Sequence, residues 1–236
     1  MAQVPDLTAW RGLSIVAPLH GGNRVTVFKA ELCGNPVVLR RSTRSTDALE
    51  WEFDVLAHLR RTGIRVPEIV STDDGKLHVE GWHLYHLIEG RTATDDDSDA
   101  LREAIEHVHT ATAGWAQRPG FLTAHDLLTE HRGGDIDLSS MPDELVARIR
   151  SAWAAVPTQP ETVVHGDLGA GNAIIGPNGQ VGLIDWDEAR VDNPGFDIGT
   201  TPTWEVAQLA WEIATCWVTE PEYAVSLVDH FLDVST

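Results

Sequence analysis

The feature that most constrains this chain is a pair of segments in which apolar residues are followed by polar or acidic residues. The segments are VVHGDLGAGNAII at positions 163–175 and LIDWD at positions 183–187. Between them stands GPNG at positions 176–179, a dense turn signal flanked by strand-forming residues. This pattern predicts a β-hairpin.

The predicted hairpin carries three residues suited to one kind of chemistry. Asn172 and Asp185 lie almost symmetrically about the turn, so the folded hairpin is expected to bring their side chains together. An amide oxygen beside a carboxylate suits a hard divalent cation such as Mg²⁺. Asp167 precedes Asn172 by five positions and could hold a substrate hydroxyl near that metal. One acid that orients a nucleophile and two metal ligands are the components of phosphoryl transfer.

Charge and composition limit the partners and the compartment. The formal net charge of −19 argues against nucleic acid, because its phosphates would be repelled. The same charge suits a cationic small substrate, or it only keeps the protein soluble, and the sequence leaves these two interpretations open. The N-terminal residues do not have the pattern of a secretion signal, and no run reaches the roughly 20 apolar residues of a membrane span. Cys33 and Cys216 match no metal-binding spacing, so a reducing, cytoplasmic location is expected.

The first part of the chain predicts strands over residues 13–40 and then a helix that Ser45 or Thr46 caps. Gly21, Gly22 and Asn23 stand between two strand-like runs, where their backbone could approach a phosphate or form an ordinary hairpin turn. Arg40, at the end of a strand, is a candidate phosphate ligand or an exposed strand-end arginine. Glu52 lies on or near the apolar face of the helix and would need a partner there, for which Arg40 is the natural candidate. The alternative is a solvated Glu52 on the helix surface.

The remaining pattern predicts an α+β chain. Further strands are expected at 66–70, 77–80 and 82–88, which would complete a small antiparallel sheet. Apolar residues at helical spacing then predict helices at 100–112, 143–156, 204–217 and 223–231. Residues 113–140 have no clear periodicity.

Several motifs, in this order, resemble the aminoglycoside phosphotransferase-like and choline kinase-type small-molecule kinases, which are relatives of the protein kinases. The motifs are Gly21-Gly22-Asn23, Val38-Leu39-Arg40, the helix from Glu52 to Leu59, His165-Gly166-Asp167-Leu168 with Asn172, Ile184-Asp185-Trp186-Asp187, and Asp192-Asn193-Pro194 with Asp197. The resemblance covers most of the chain. It implies a bilobal protein-kinase-like fold with a small antiparallel β-sheet lobe containing one main helix and a mostly helical large lobe that carries the catalytic-loop hairpin. The implied lobes are residues 1–88, which bind the nucleotide, and residues 89–236, which bind the acceptor.

The resemblance also implies a role for each matching residue. Asp167 would be the catalytic acid that orients the substrate hydroxyl, and Asn172 with Asp185 would hold Mg²⁺ against the phosphates of ATP or GTP. The other implied sites are the nucleotide contacts Gly21, Gly22, Asn23, Arg40, Glu52, Tyr85 and Leu87, and the loop supports His165 and Asp197. Two departures stand out: Gly169-Ala170 replaces the His-Pro that relatives often have, and an arginine replaces the lysine of protein kinases.

The expected function is transfer of the γ-phosphate of ATP or GTP to a hydroxyl of a small molecule. An antibiotic of aminoglycoside or other hydroxylated natural-product type is the foremost acceptor, and a metabolite such as choline or a sugar is the alternative. Asp187, Glu188 and Asp192 are candidate contacts for a cationic acceptor. A nucleotide-binding pseudokinase is a further alternative, whereas a metal hydrolase fails because the eleven histidines lack metal-binding spacing. We expect that the protein does not bind a membrane and that it is a monomer or a homodimer.

Overall fold

The computed structural model describes residues 7–19 and 26–235. The predicted glycine turn at Gly21, Gly22 and Asn23 lies outside these residues. The strands of the described part are β1 (Leu13–Leu19), β2 (Thr26–Leu32), β3 (Asn35–Arg41), β4 (Ile69–Val70), β5 (Trp82–His86), β6 (Arg91–Thr92), β7 (Arg132–Gly133), β8 (Ile136–Asp137), β9 (Thr162–Val164), β10 (Ala173–Ile175), β11 (Val181–Leu183) and β12 (Arg190–Asp192). Its α-helices are α1 (Thr46–Arg61), α2 (Ser98–Ala111), α3 (Asp143–Ala154), α4 (Gly195–Ile198), α5 (Pro202–Thr219) and α6 (Pro221–Val234). Short 3₁₀ turns occur at Leu7–Ala9, Asp95–Asp97, Asp126–Leu128, Leu138–Ser140 and Ala170–Asn172.

The chain packs as two compact units. The first contains the described residues of Met1–Ala104 together with Gly169–Asp187, and the second contains Ile105–Leu168 together with the described residues of Glu188–Thr236. The predicted lobes, 1–88 and 89–236, divide the chain by role and stay a prediction. In terms of packing, the hairpin that follows the predicted catalytic loop belongs to the unit that contains the first strands.

The first unit is built on a five-stranded antiparallel sheet in the order β1-β2-β3-β5-β4. Six apolar side chains form its small core. Strand β1 alternates between partly buried and exposed positions, whereas four consecutive residues of β5 are buried. The core residues are Trp10, Ala30, Val37, Leu39, Trp82 and Leu84. The indole nitrogen of Trp10 donates to the carbonyl of Val70 at 3.1 Å, which ties the N-terminal segment to β4.

Helix α1 forms where the sequence predicts it. The Ser45 hydroxyl accepts a hydrogen bond from the backbone of Ala48 at 3.3 Å and caps the first turn. Gly63 follows the last turn with φ +88°, a left-handed conformation that glycine adopts without a steric cost. The buried face carries Leu49, Phe53 and other apolar residues at helical spacing, and it also contains Glu52.

The predicted hairpin is present in the first unit. Strands β10 and β11 pair in antiparallel register, with Ala173 opposite Leu183 and Ile175 opposite Val181. Gly179 in the connecting turn has φ +77°, and Gly176 closes the turn by donating to the carbonyl of Gln180 at 2.9 Å. Strand β6 extends this pair to a three-stranded antiparallel sheet. The turn chemistry and the apolar runs therefore specified the hairpin correctly.

The second unit is mainly helical. Its core lies among α3, α5 and α6 and includes Ile149, Trp153, Trp211 and Phe231. Strands β9 and β12 form a two-stranded antiparallel sheet, in which Val164 pairs with Arg190. The predicted helices at 143–156, 204–217 and 223–231 are confirmed as α3, α5 and α6.

Several elements differ from the sequence expectation, and the physical reason is clear for two of them. The predicted strand at 77–80 is wrong: Val79 makes only an isolated bridge to Trp82, because the chain reverses at Glu80 and Gly81, whose φ values are +49° and +80°. Strand β12 was not predicted, since its ladder with β9 depends on a partner 26 or more positions away in the sequence. The first difference is a local chain reversal, and the second is pairing between distant segments, which local pattern does not encode.

Within the described residues, no helix combines the length and the apolar character needed to cross a membrane.

The cap of α1 provides a test of the fold. Replacing Ser45 by Ala removes the oxygen that accepts from Ala48, and we expect the free energy of unfolding to fall by about 1 kcal/mol. Urea unfolding followed by circular dichroism measures the change. Ser45→Asp, which keeps an acceptor oxygen, is the control and should remain close to the wild type. An unchanged midpoint in Ser45→Ala would show that the cap is not needed.

Candidate active site

The predicted catalytic loop of the second unit is held by one buried carboxylate. Asp197 accepts hydrogen bonds from the backbone N–H of His165 at 2.8 Å and of Gly166 at 3.0 Å. The Nε2 atom of His109, in α2, lies 2.9 Å from the same carboxylate. The Asp197 side chain is fully buried, so these donors take the place of water. Asp167, the next residue along the loop, is exposed.

The surroundings of Asp197 favour its charged form. Burial by itself would raise the pKa of this carboxyl group, but the hydrogen bond and charge of His109, the charge of His165 and the backbone N–H of Gly166 outweigh burial and lower the pKa. Asp197 is therefore a carboxylate at neutral pH, which is the state that can accept from both backbone groups of the loop.

Gly166 allows the loop to turn above this carboxylate. Its φ is +86°, a left-handed conformation that other residues adopt only with strain. A Cβ atom at this position would lie 2.6 Å from the carbonyl oxygen of Glu188 and 3.0 Å from a guanidinium nitrogen of Arg190. The glycine is thus required by both the backbone conformation and the space around it.

Asp192 does not contribute to an acceptor surface, which corrects the sequence prediction. It is 2% exposed, its carboxylate accepts from Arg190 Nε at 3.0 Å, and it also accepts from the backbone of Ala124 at 3.1 Å. Arg190 is itself buried and stacks on Trp211, with its guanidinium carbon 3.4 Å from the ring centroid. The pair is a structural element of the second unit, because neither group faces solvent.

The predicted metal ligands lie at the open end of the hairpin in the first unit. The carbonyl of Asn172 accepts from the N–H of Ile184 at 2.9 Å, so that Asn172 lies beside the residue that precedes Asp185. Asp185 has φ +64°, and its side chain is 44% exposed. Strained backbone of this kind is concentrated at functional sites. An amide and an exposed carboxylate on adjacent chain segments fit a hard divalent cation such as Mg²⁺.

These two side chains would need further oxygen ligands to hold a cation. In the part of the chain that the structure describes, no three His, Cys, Asp or Glu side chains are grouped so that they could hold a metal ion by themselves. Mg²⁺ is commonly bound in this way, by one or two protein ligands that are completed by phosphate and water oxygens. The donor set therefore fits a cation that arrives with a nucleotide.

Arg40 is buried among acids in the first unit. Its guanidinium is in direct contact with Asp185 at 2.7 Å, whereas Asp187 lies at a longer ion-pair distance of 3.7 Å. Burial would lower the pKa of Arg40, but the negative charges of Asp185, Glu52 and Asp187 outweigh burial and raise the pKa. Arg40 is therefore a fixed cation next to a predicted metal ligand.

Glu52 is buried and engaged, as the sequence argument requires. Its Oε1 atom accepts a hydrogen bond from the hydroxyl of Tyr85 at 2.8 Å, and its charge acts on Arg40 as described above. Tyr85 lies within β5, between β3 and β4, and its ring is buried. Leu87 follows the end of β5 with 40% of its surface exposed. The roles of Tyr85 and Leu87 in contacting a base stay predictions.

His83 adds no positive charge to this group. It lies opposite Arg40 in the register of β3 and β5, and it is fully buried. Burial, together with the charge of Arg40, lowers the pKa of His83 to about 3. At neutral pH, His83 is therefore neutral.

Sequence reasoning missed two residues of these sites. A histidine near the end of a predicted helix is usually a packing or capping group, but His109 lies against the carboxylate that holds the loop. Arg44 was not singled out, although its Nη2 atom donates to the carboxylate of Asp187 at 3.0 Å and to the Asp187 carbonyl at 3.2 Å. A signal for Arg44 was available: this acidic chain places three of its 17 basic residues between positions 40 and 44.

Comparison with known proteins agrees with these features. The sequence pattern of the phosphotransferase enzyme family, abbreviated APH, matches residues 15–215. The chain therefore belongs to the APH phosphotransferase family. It is also 30% identical over 214 residues to an uncharacterized protein of Deinococcus radiodurans, and the match covers 81% of this chain. The chain spans 59% of the length of that relative.

Solved structures with the same fold include several small-molecule kinases. The choline kinase LicA from Streptococcus pneumoniae superposes with a TM-score of 0.68 at 14% identity, covering 97% of this chain and 95% of that one. A microcompartment-associated aminopropanol kinase gives a TM-score of 0.66 at 16% identity, with 97% and 93% coverage. The spectinomycin phosphotransferase APH(9)-Ia, in complex with ADP and spectinomycin, gives 0.63 at 14% identity, with 97% and 90% coverage. These likenesses establish the α+β, protein-kinase-like fold that the sequence predicts.

The buried carboxylate predicts a specific dependence of stability on pH. Asp197→Asn leaves one N–H donor of the site without an acceptor, and we expect a loss of about 2 kcal/mol in the free energy of unfolding at pH 7. Because the folded state lowers the pKa of Asp197, its contribution is complete above the ordinary value of 3.8 and is lost as the pH falls further. The difference between wild type and variant should therefore shrink below that pH.

Denaturant unfolding at a series of pH values measures this difference. Asp229→Asn, which changes an exposed carboxylate on α6, is the matched control and should differ little from the wild type at any pH. A difference between Asp197→Asn and wild type that stays constant down to pH 2 would contradict the role given to the charge.

Proposed function

We propose that this protein is a phosphotransferase that moves the γ-phosphate of ATP or GTP to a hydroxyl group of a small molecule. The observation that carries the proposal is the loop at 165–167, in which Asp197 fixes the backbone of His165 and Gly166 while Asp167 stays exposed. Membership of the APH phosphotransferase family supports the same reaction. In this proposal, residues 1–88 carry the nucleotide contacts and residues 89–236 carry the catalytic loop and the acceptor site.

Asp167 is the catalytic residue in this proposal. Its carboxylate accepts the proton of the acceptor hydroxyl in a hydrogen bond and so directs the oxygen lone pair at the phosphorus atom. A fixed loop matters for this task, because a misplaced nucleophile loses much of the rate gained from orientation. The two backbone N–H groups that Asp197 binds supply this rigidity next to Asp167.

Asn172 and Asp185 are the residues that would hold Mg²⁺ in this proposal. The bound ion would neutralise charge on the transferred phosphoryl group, as in other phosphotransferases. Arg40 has a related role, because a buried guanidinium can bind phosphate oxygens in a bidentate manner and offset their charge. For that contact, Arg40 exchanges its ion pair with Asp185 for the phosphate.

We propose a hydroxylated, cationic natural product as the acceptor, with aminoglycoside-type antibiotics as the first class and amino alcohols such as choline as the second. Two features support a cationic acceptor. The chain carries a net charge of −19. The structural neighbours include kinases named for choline and aminopropanol and a phosphotransferase bound to spectinomycin. Choline, aminopropanol and spectinomycin are all nitrogen-containing alcohols. A cytoplasmic location is part of the proposal, since the nucleotide is found there.

Nucleotide turnover with Asp167→Asn as the control tests the function. The wild type, with Mg²⁺ and ATP or GTP, is screened against hydroxylated antibiotics and metabolites by measuring ADP or GDP release and by detecting the phosphorylated acceptor by mass spectrometry. We expect at least one acceptor to stimulate turnover, and Asp167→Asn to lower that rate by about 10²- to 10⁴-fold while nucleotide affinity changes little.

The alternatives give different results in the same assay. A metabolic kinase would act on choline, an amino alcohol or a sugar and not on the antibiotics. A pseudokinase would bind nucleotide, yet no acceptor would raise the turnover of the wild type above that of Asp167→Asn. The last result, over a panel that includes both acceptor classes, would contradict the proposed function.

A further inference from the structure

Four side chains of alternating charge lie next to one another in the first unit, in the order Asp185, Arg40, Asp187 and Arg44. Arg40 lies 2.7 Å from Asp185 and 3.7 Å from Asp187, and Asp187 in turn lies 3.0 Å from Arg44. Arg40 therefore has two carboxylates beside it at different distances. The nearer belongs to a proposed metal ligand, and the more distant is bound by a second arginine.

Arg44 is built into the fold at this position. Its backbone N–H donates to the hydroxyl of Ser42 at 3.1 Å, and the next residue, Ser45, caps α1. The side chain is 11% exposed, and its Nη2 atom contacts both the carboxylate and the backbone carbonyl of Asp187. Two contacts to one residue fix the direction of the Asp187 carboxylate as well as neutralising its charge.

The contact between Arg44 and Asp187 matters because carboxylates and a nucleotide phosphate would compete for Arg40. Arg40 is surrounded by the charges of Asp185, Glu52 and Asp187, while His83 beside it is neutral. A nucleotide phosphate that approaches Arg40 must displace carboxylate oxygens from it. Asp187 at 3.7 Å is close enough to move into direct contact with Arg40 if nothing holds it elsewhere.

We propose that Arg44 is a positioning residue that holds Asp187 away from Arg40, so that Arg40 is available to bind the nucleotide phosphates. The inference rests on the proposed function, because it assumes that Arg40 contacts phosphate. Arg44 acts through Asp187, and it need not touch the nucleotide itself. Removing Arg44 takes two contacts away from Asp187 and favours its approach to Arg40, whereas removing the charge of Asp187 as well abolishes the competitor.

The test is the affinity for ADP, measured by isothermal titration calorimetry in EDTA and again with Mg²⁺, without any acceptor or turnover. We expect Arg44→Gln to weaken ADP binding in EDTA by about tenfold, a coupling typical of residues in one salt-bridge network. Arg44→Lys, which keeps the charge, should bind within about twofold of the wild type. The double variant Arg44→Gln with Asp187→Asn should regain most of the lost affinity, a recovery that a merely structural role of Arg44 does not produce.

A second ion pair of the same unit supplies matched controls. Arg60 lies 2.6 Å from Glu68, and both side chains are substantially exposed. Arg60→Gln, and Arg60→Gln with Glu68→Gln, should bind ADP as the wild type does. Circular dichroism and thermal unfolding establish that each variant is folded.

The outcomes separate this inference from the proposed function. If wild-type protein binds neither ADP nor ATP, the proposed function fails and the inference fails with it. If the wild type binds but Arg44→Gln binds equally well, or if the double variant does not recover, the positioning role of Arg44 is wrong while the function stands. Should Arg44→Gln not fold, Asp187→Asn alone decides: we expect unchanged or tighter ADP binding in EDTA, and weaker binding overturns the proposal.

Discussion

The buried carboxylate of Asp197 is the interaction on which the second unit depends. It replaces water with three donors, two of which are the backbone N–H groups of His165 and Gly166. A charge removed from water is stable only when such donors are fixed. The loop and Asp197 stabilise each other. The loop keeps Asp197 charged, and Asp197 keeps the loop in the conformation that exposes Asp167. Gly166, with its left-handed backbone, is the residue that makes this conformation possible.

In the first unit, a buried positive charge is stabilised in the same way by groups of the opposite charge. Arg40 is a buried cation, and the surrounding acids hold it in the charged form. Unlike Asp197, however, Arg40 has ion-pair partners that a phosphate can replace, because Asp185 is partly exposed and is suited to bind a cation instead. The two buried charges therefore differ in their partners. Asp197 is bound by backbone groups that cannot leave, and Arg40 by carboxylates that can.

Much of the candidate site could be predicted because it lies in one continuous stretch. The turn GPNG and the apolar runs around it specify the hairpin, and the hairpin register relates Asn172 to Asp185. Helix α1 was predictable for a similar reason, since its cap and its apolar face are local. The strand expected at 77–80 failed because two left-handed residues reverse the chain, and an acidic residue expected to face the acceptor, Asp192, is instead buried against Arg190. Residue type alone did not distinguish a surface acid from a buried one.

The sequence by itself determined the class of fold and supplied the candidate site residues, because both depend on short-range periodicity and on motifs whose members are close together in the chain. Only the tertiary structure decided the partners of each charge. His109 with Asp197 and Arg44 with Asp187 are separated by 88 and 143 positions. Such pairs form when packing brings distant segments together and removes water from them. Burial and partner choice are therefore properties of the folded chain, whereas the chemistry that the side chains can perform is already present in the sequence.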